Sequence, residues 1–268
     1  MTDPKTKSIG VFDSGIGGLT VIRALMERLP HENLVYFGDT ARVPYGTKSE
    51  DVIKQYAVQD AEILIEKGVK LIVVACNTVS SVALDLLEQR FDVPIIGMIH
   101  PGATHALDAT RNNTIGVIGT VATIGSNAYP RSIYELRKNV NVYSAPCPLF
   151  VSLAEEGWSD HPASKLIAQE YLTPLIRYGV DTLILGCTHY PILKNVIQQV
   201  MGEEVALIDS GEAAADEVIE LLTEEDLLNP STMAPRREFM VSDVPQKFKQ
   251  LGDIFLGKTL ERVTRVQI

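Results

Sequence analysis

The chain alternates short aliphatic runs with longer stretches whose apolar positions recur every three to four residues. Residues 8–12 form an apolar run broken by Gly15, Gly17 and Gly18. Leu19, Ile22, Met26 and Leu29 then repeat at helical spacing up to Pro30. Residues 34–37 read as a second strand, 50–67 as a helix, and 71–75 as a wholly apolar strand. Val79, Val82, Ala83 and Leu86 fall on one helical face, and residues 94–97 form a further strand. Strand-length runs alternating with amphipathic ones predict βαβ units and a parallel sheet covered on both sides, an α/β fold. Beyond residue 207 the pattern predicts a helix over 213–222, a Pro-rich polar connection, a strand over 238–241 and an amphipathic close.

The pattern also repeats. The run from Ile9 aligns with the run from Ile115 at an offset of 106, and residues 68–76 align with 179–187 at 111. Residues 93–96 align with 205–208 at 112. Three matches in one order, with slowly drifting offsets, point to one α/β unit used twice. The expected fold is two pseudosymmetric open parallel-sheet α/β domains facing each other across a cleft. Residues 1–98, with 208–268 packing back on them, form the first half, and residues 99–207 the second.

Ligands of open parallel sheets sit beyond the carboxyl ends of the strands, where Asp13, Cys76 and Cys187 fall. A single cysteine at a strand end is ordinarily a small buried hydrophobe. Two at matched positions of a doubled unit, beside Asn77, Thr78, Thr188 and His189, point to chemistry. Each precedes a helix, with Thr78 as N-cap of one and Pro191 in the first turn of the other, so both thiols are expected to have lowered pKa values. Pseudosymmetry would bring them to one cleft from opposite sides. That arrangement suits racemisation, in which one group takes the Cα proton from one face while its counterpart delivers a proton to the other.

Asp13 is placed to orient or activate Cys76, and His189 to do the same for Cys187. The loop DSGIGG (13–18) offers backbone N–H groups to an anion such as a carboxylate. Ser14, Asn77, Thr78, Thr120 and Thr188 supply neutral donors for a zwitterionic substrate. Tyr45 lines the cleft or serves a turn. Cys147 reads as structural, His31 and His161 as surface residues. His100 and His105 lack metal-ligand company, and no cysteine–histidine cluster has zinc spacing.

Composition narrows the class. Apolar residues make up 46% and charged residues 22% of 268, ordinary globular usage. Lys and Arg number 24 against 34 Asp and Glu, a net charge of −10 without a basic tract, which disfavours nucleic acid and anionic membranes as partners. The longest apolar strings, such as 71–76, are too short to span a bilayer, and the first residues lack an apolar segment of signal-peptide length. Three cysteines do not make a disulfide framework, so free thiols and a cytoplasmic location are expected.

The segments VFDSGIGGLTV (11–21), YFGDTARVPYG (36–46), VVACNTVSS (73–81), IGVIGT (115–120) and LILGCTHYP (183–191) together resemble the cofactor-independent glutamate racemases. The likeness runs to about Gly211. It implies two α/β halves, two catalytic cysteines, no cofactor or metal, a homodimer, and interconversion of L- and D-glutamate for bacterial peptidoglycan. By position, Cys76 resembles the thiol acting on D-glutamate and Cys187 the one acting on L-glutamate, with Asp13 and His189 as their auxiliary groups. Asp13-Ser14, Tyr45-Gly46, Asn77-Thr78 and Thr188-His189 match substrate-binding pairs. Asp39 and Glu155 align with further acidic residues that assist catalysis, although Ser152 stands where the family often has proline. Val79-Ser80 replaces the small residues often found there. Three alternatives stay open on the residues alone: a racemase of aspartate or another small amino acid, a cysteine hydrolase using Cys187 and His189, and a two-lobed binding protein.

Overall fold

The computed structural model describes residues 3–260 and 262–268. Its strands are β1 (Ile9–Asp13), β2 (Leu34–Gly38), β3 (Leu71–Val74), β4 (Ile95–Ile96), β5 (Thr114–Gly119), β6 (Asn141–Pro146), β7 (Thr182–Gly186), β8 (Ala206–Asp209), β9 (Arg237–Val241) and β10 (Thr264–Arg265). They form two sheets, ordered β10-β9-β2-β1-β3-β4 and β6-β5-β7-β8, and every pairing is parallel. Helices connect the strands, as parallel crossovers require.

The doubled unit appears in the registers as well as the strand order. The stretch β2-β1-β3-β4 matches β6-β5-β7-β8. Ile9 pairs with Leu71 and Ile115 with Thr182; Ile72 pairs with Ile95 and Leu183 with Leu207. These are the residues that the sequence repeats equate. A fourth equivalence, β2 with β6, left no mark in the sequence. In the first sheet β9 covers the outer side of β2, which is buried throughout, whereas β6 is an edge strand with exposed positions. Different burial selects different residues at equivalent places.

The helical face read over 79–86 is not continuous. Two helices, Asn77–Val82 and Leu84–Arg90, meet at Ala83, whose φ of −126° and ψ of −4° break the helical run. The period restarts there, so Leu87 is buried while Leu86 is 38% exposed. Cys76 itself occupies the N-cap position of the first of these helices, two residues before Thr78, the expected cap.

The C-terminal segment adds β9 and β10 to the first sheet. Helix Ser210–Glu224, capped by Asp209 accepting from the Gly211 N–H at 2.8 Å, lies against helix Leu19–Arg28 of the first half and helix Ile99–Ala109 of the second. Helix Pro245–Leu256 packs on Leu19–Arg28, and its Phe255 reaches the ring of His189. One apolar core therefore runs from Ile9, Val11 and Leu19 through Phe255 to Leu183 and Leu185. A shared core holds the two halves in a defined relation, with the carboxyl ends of β1, β3, β5 and β7 converging. Among the described residues, no helix is long and apolar enough to cross a membrane.

Candidate active site

The convergence encloses a small cavity of about 70 Å³ lined by both thiol residues, Cys76 and Cys187. Ser14, Gly46, Asn77, Thr78, Thr120, Thr188, His189 and Glu155 share the wall, so ten of the thirteen residues singled out from the sequence line this cavity; Asp13, Asp39 and Tyr45 do not. Gly15, of the glycine loop read as an anion cradle, and Val43, Pro44 and Val151 complete it; the last three gave no signal in the sequence, because aliphatic and proline wall positions carry no chemical signature.

Each sulfur has its own polar neighbour. Cys76 Sγ donates toward Ser14 Oγ at 3.5 Å. Cys187 Sγ lies 3.9 Å from His189 Nδ1, and His189 Nε2 lies 3.1 Å from Glu155 Oε1. The imidazole is thus held between a thiol and a carboxylate, with Phe255 edge-on at 5.2 Å. Asp13 is fully buried and does not line the cavity. Its carboxylate accepts the Gly15 N–H at 2.9 Å and the Thr188 hydroxyl at 3.4 Å. The anion cradled by the 13–18 loop is therefore, in part, the chain's own Asp13. Thr20 Oγ1 donates to the Thr188 carbonyl at 3.0 Å, so the first helix of one half also holds the Cys187 loop of the other.

Thr78 is not the cap that its position suggested. Its hydroxyl stands 2.9 Å from Thr120 Oγ1 and 3.2 Å from Thr123 Oγ1, which are themselves 3.0 Å apart. Three hydroxyls from both halves thus gather at one side of the cavity. Thr120 additionally caps its helix by accepting the Thr123 N–H at 3.1 Å.

Tyr45 and Asp39 sit behind the wall rather than on it. Tyr45 is 1% exposed, and its hydroxyl donates to Asp39 and, at 3.0 Å, to Asp60. Arg42 bridges the same two carboxylates, and Ser242 Oγ of the C-terminal segment donates to Asp39 at 2.8 Å. Burial, and next the Asp39 charge, push Asp60 well above the usual carboxylate range. This network anchors loop 39–46, which presents Val43, Pro44 and Gly46 to the cavity.

Electrostatics reverse one expectation. Burial pushes the Cys76 thiol up to about 12, the neighbouring Asp13 charge adding to the effect and the Ser14 hydroxyl opposing it. The helix N-terminus does not overcome desolvation. Burial likewise raises Asp13, opposed by the His189 charge and by the Gly15 and Gly18 N–H groups. For His189, burial disfavours the charge, yet bonds to Cys187 and Glu155, with the Cys187 and Asp13 charges, outweigh it and raise the imidazolium to about 10.

The sign of the resulting pH dependence follows from linkage. A group raised from 6.5 to about 10 stabilises the fold fully below pH 6.5, progressively less above it, and not at all beyond about 10. The melting-temperature difference between the wild type and His189→Asn is expected to shrink across that window. A difference that stays constant from pH 6 to 10.5 would mean that no charge on His189 stabilises the fold.

A family model described as Asp/Glu/Hydantoin racemase matches residues 15–218. The glutamate racemase of Syntrophus aciditrophicus is 52% identical over 265 residues, covering 99% of this chain and 98% of the relative. The crystal structure of the Francisella tularensis glutamate racemase with D-glutamate superposes with a TM-score of 0.92 at 44% identity, covering 98% of each chain. That of the Thermus thermophilus glutamate racemase with β-chloro-D-alanine gives 0.90 at 44% identity, covering 100% of this chain and 99% of the other. Paired strand-end thiols in one cavity, a doubled parallel unit and likeness along the whole chain lead to one conclusion: the chain belongs to the Asp/Glu/hydantoin racemase family.

Proposed function

We propose that this chain racemises glutamate by two-base proton transfer at Cα, Cys76 acting on D-glutamate and Cys187 on L-glutamate, and so supplies D-glutamate for peptidoglycan. The single observation that carries the reading is that two cysteines, equivalent in a repeated unit, line the same cavity. Such a pair can exchange the roles of acid and base, as a reaction that must run both ways requires. Near-full-length likeness to glutamate racemases supports the choice of substrate.

The raised pKa of Cys76 has a consequence for this chemistry. A thiol that resists ionisation becomes, once ionised, a stronger base, which suits a weakly acidic Cα–H. Asp13 contributes to that basicity through its charge and holds Thr188 by a hydrogen bond. Cys187 has His189 as its partner, tethered to Glu155. Negative charge developing at Cα spreads into the α-carboxylate, where neutral donors from Asn77, Thr78, Thr188 and Ser14 are available in the wall. Tyr45 and Asp39 act from behind the wall by fixing the loop that carries Gly46.

The domain reading that accompanies this is a first half of 1–98 joined by 208–268, and a second of 99–207, with substrate held between them. Cys76, Cys147 and Cys187 are free thiols, which supports a reducing, cytoplasmic setting.

Turnover of L- or D-glutamate in D₂O, followed by circular dichroism and mass spectrometry, is expected to place one solvent deuterium at Cα of the inverted product. Aspartate serves as the competing substrate. Inversion without deuterium incorporation, or faster turnover of aspartate than of glutamate, would overturn the reading.

A further inference from the structure

We propose that Tyr129 is a positioning residue which, through Asn77 and Ser210, holds the two thiol-bearing strand ends in fixed relation across the joint between the halves. The inference rests on the reading of Cys76 and Cys187 as the proton-transfer pair.

Tyr129 belongs to helix Ala128–Leu136 of the second half and is 1% exposed. Its hydroxyl donates to Asn77 Oδ1 at 2.6 Å and stands 3.3 Å from the carbonyl of Met98, in the connection between the halves. Asn77 Nδ2 donates to Ser210 Oγ at 3.1 Å, and the Ser210 hydroxyl donates to the Leu185 carbonyl at 3.2 Å. Asn77 immediately follows Cys76, and Leu185 is two residues before Cys187. An unbroken buried chain of hydrogen bonds therefore runs from one thiol's turn to the other thiol's strand.

The ring of Tyr129 makes a second, independent link. A Cβ added at Gly186 would lie 3.1 Å from Tyr129 Cε2, and one added at Gly102 would lie 3.1 Å from Cε1. The ring is clamped between helix Ile99–Ala109 and the residue directly preceding Cys187. Packing fixes it on the Cys187 side while its hydroxyl fixes Asn77 on the Cys76 side. Buried polar groups need partners wherever they occur, but that requirement does not explain why this chain ends at both thiols. Proton transfer does, because its rate depends steeply on the placement of donor and acceptor.

Tyr129→Phe keeps the ring between its glycines and removes only the hydroxyl. In the folded variant, kcat for both enantiomers is expected to fall roughly 10- to 100-fold. KM is expected to stay within about threefold, since the loss is of transition-state geometry rather than of binding. The isotope effect with Cα-deuterated glutamate should rise as proton transfer becomes rate-limiting. Ser210→Ala is expected to behave alike and Ser210→Thr, which keeps a hydroxyl, to restore kcat. A kcat for folded Tyr129→Phe within about twofold of the wild type, measured well below its melting temperature, overturns the inference, since a mere packing role lowers stability alone. Equal losses in Ser210→Ala and Ser210→Thr overturn it too, and this pair supplies the answer if Tyr129→Phe does not fold. Parallel assays of Cys76→Ala and Cys187→Ala separate the two claims. If those variants still racemise, the parent reading fails; if they do not while Tyr129→Phe does so normally, only the bracing role fails.

Discussion

Cys76→Ala and Cys187→Ala are each expected to lose racemisation in both directions, by at least about three orders of magnitude. The two directions fall together for a thermodynamic reason. Enantiomers in water have equal free energies, so kcat/KM for L- and D-glutamate must remain equal in any variant. Removing the group on one face deprives one direction of its base and the other of its acid. Cys76 and Cys187 are only 5% and 6% exposed, so bulk water has poor access to replace either group. Polarimetry on both enantiomers, with circular dichroism to confirm folding, checks the expectation. A variant that loses Cys76 yet keeps Cys187-dependent turnover would point instead to nucleophilic chemistry on one side only.

Gly17→Ala is the second large effect, and it tests the loop rather than the thiols. A Cβ at Gly17 would overlap the Thr188 hydroxyl and stand 2.5 Å from His189 Nδ1 and 2.7 Å from His189 Cε1. Neither side chain can yield freely. Thr188 is tied to Asp13 and Thr20, and His189 lies between Cys187 and Glu155. The methyl group must therefore shift the loop or break those contacts, at a packing cost of about 1–3 kcal/mol. Displacement of this size beside a proton-transfer group is expected to lower kcat about 10²-fold. Gly125→Ala, where an added Cβ has no atom within 4 Å, is the matched control and should leave activity unchanged. Undiminished activity in Gly17→Ala would mean that the close approach of this loop to His189 is dispensable.

Much of the architecture was readable because it depends on local pattern. Residues 8–12, 34–37 and 71–75 announced buried parallel strands by being continuously apolar, and β1, β2 and β3 fall there. The repeats at 9/115, 72/183 and 95/207 anticipated register pairs in both sheets. The failures have equally specific causes. Periodicity puts Leu86 on the buried face because it carries no trace of the break at Ala83. Strand β6 leaves no pattern because an edge strand with exposed positions lacks an apolar run. Tyr129 and Ser210 gave no signal, since one tyrosine and one serine in ordinary helical contexts are indistinguishable from many others.

Taken alone, the order of residues determined the strands and helices whose apolar pattern is continuous or periodic, that one unit occurs twice, and that each copy carries a cysteine beyond a matching strand. These are matters of periodicity and spacing, which the order of residues shows without any knowledge of which segments touch. Only folding in three dimensions decided that Asp39 and Tyr45 stand behind the cavity wall and that Cys76 is a reluctant acid. It also decided that the glycine loop partly cradles Asp13 and that Tyr129 spans the joint. Those outcomes depend on desolvation, Coulomb fields and contacts between residues far apart in the chain, such as Asp13 and Thr188, 175 positions apart, and Asp39 and Ser242, 203 positions apart.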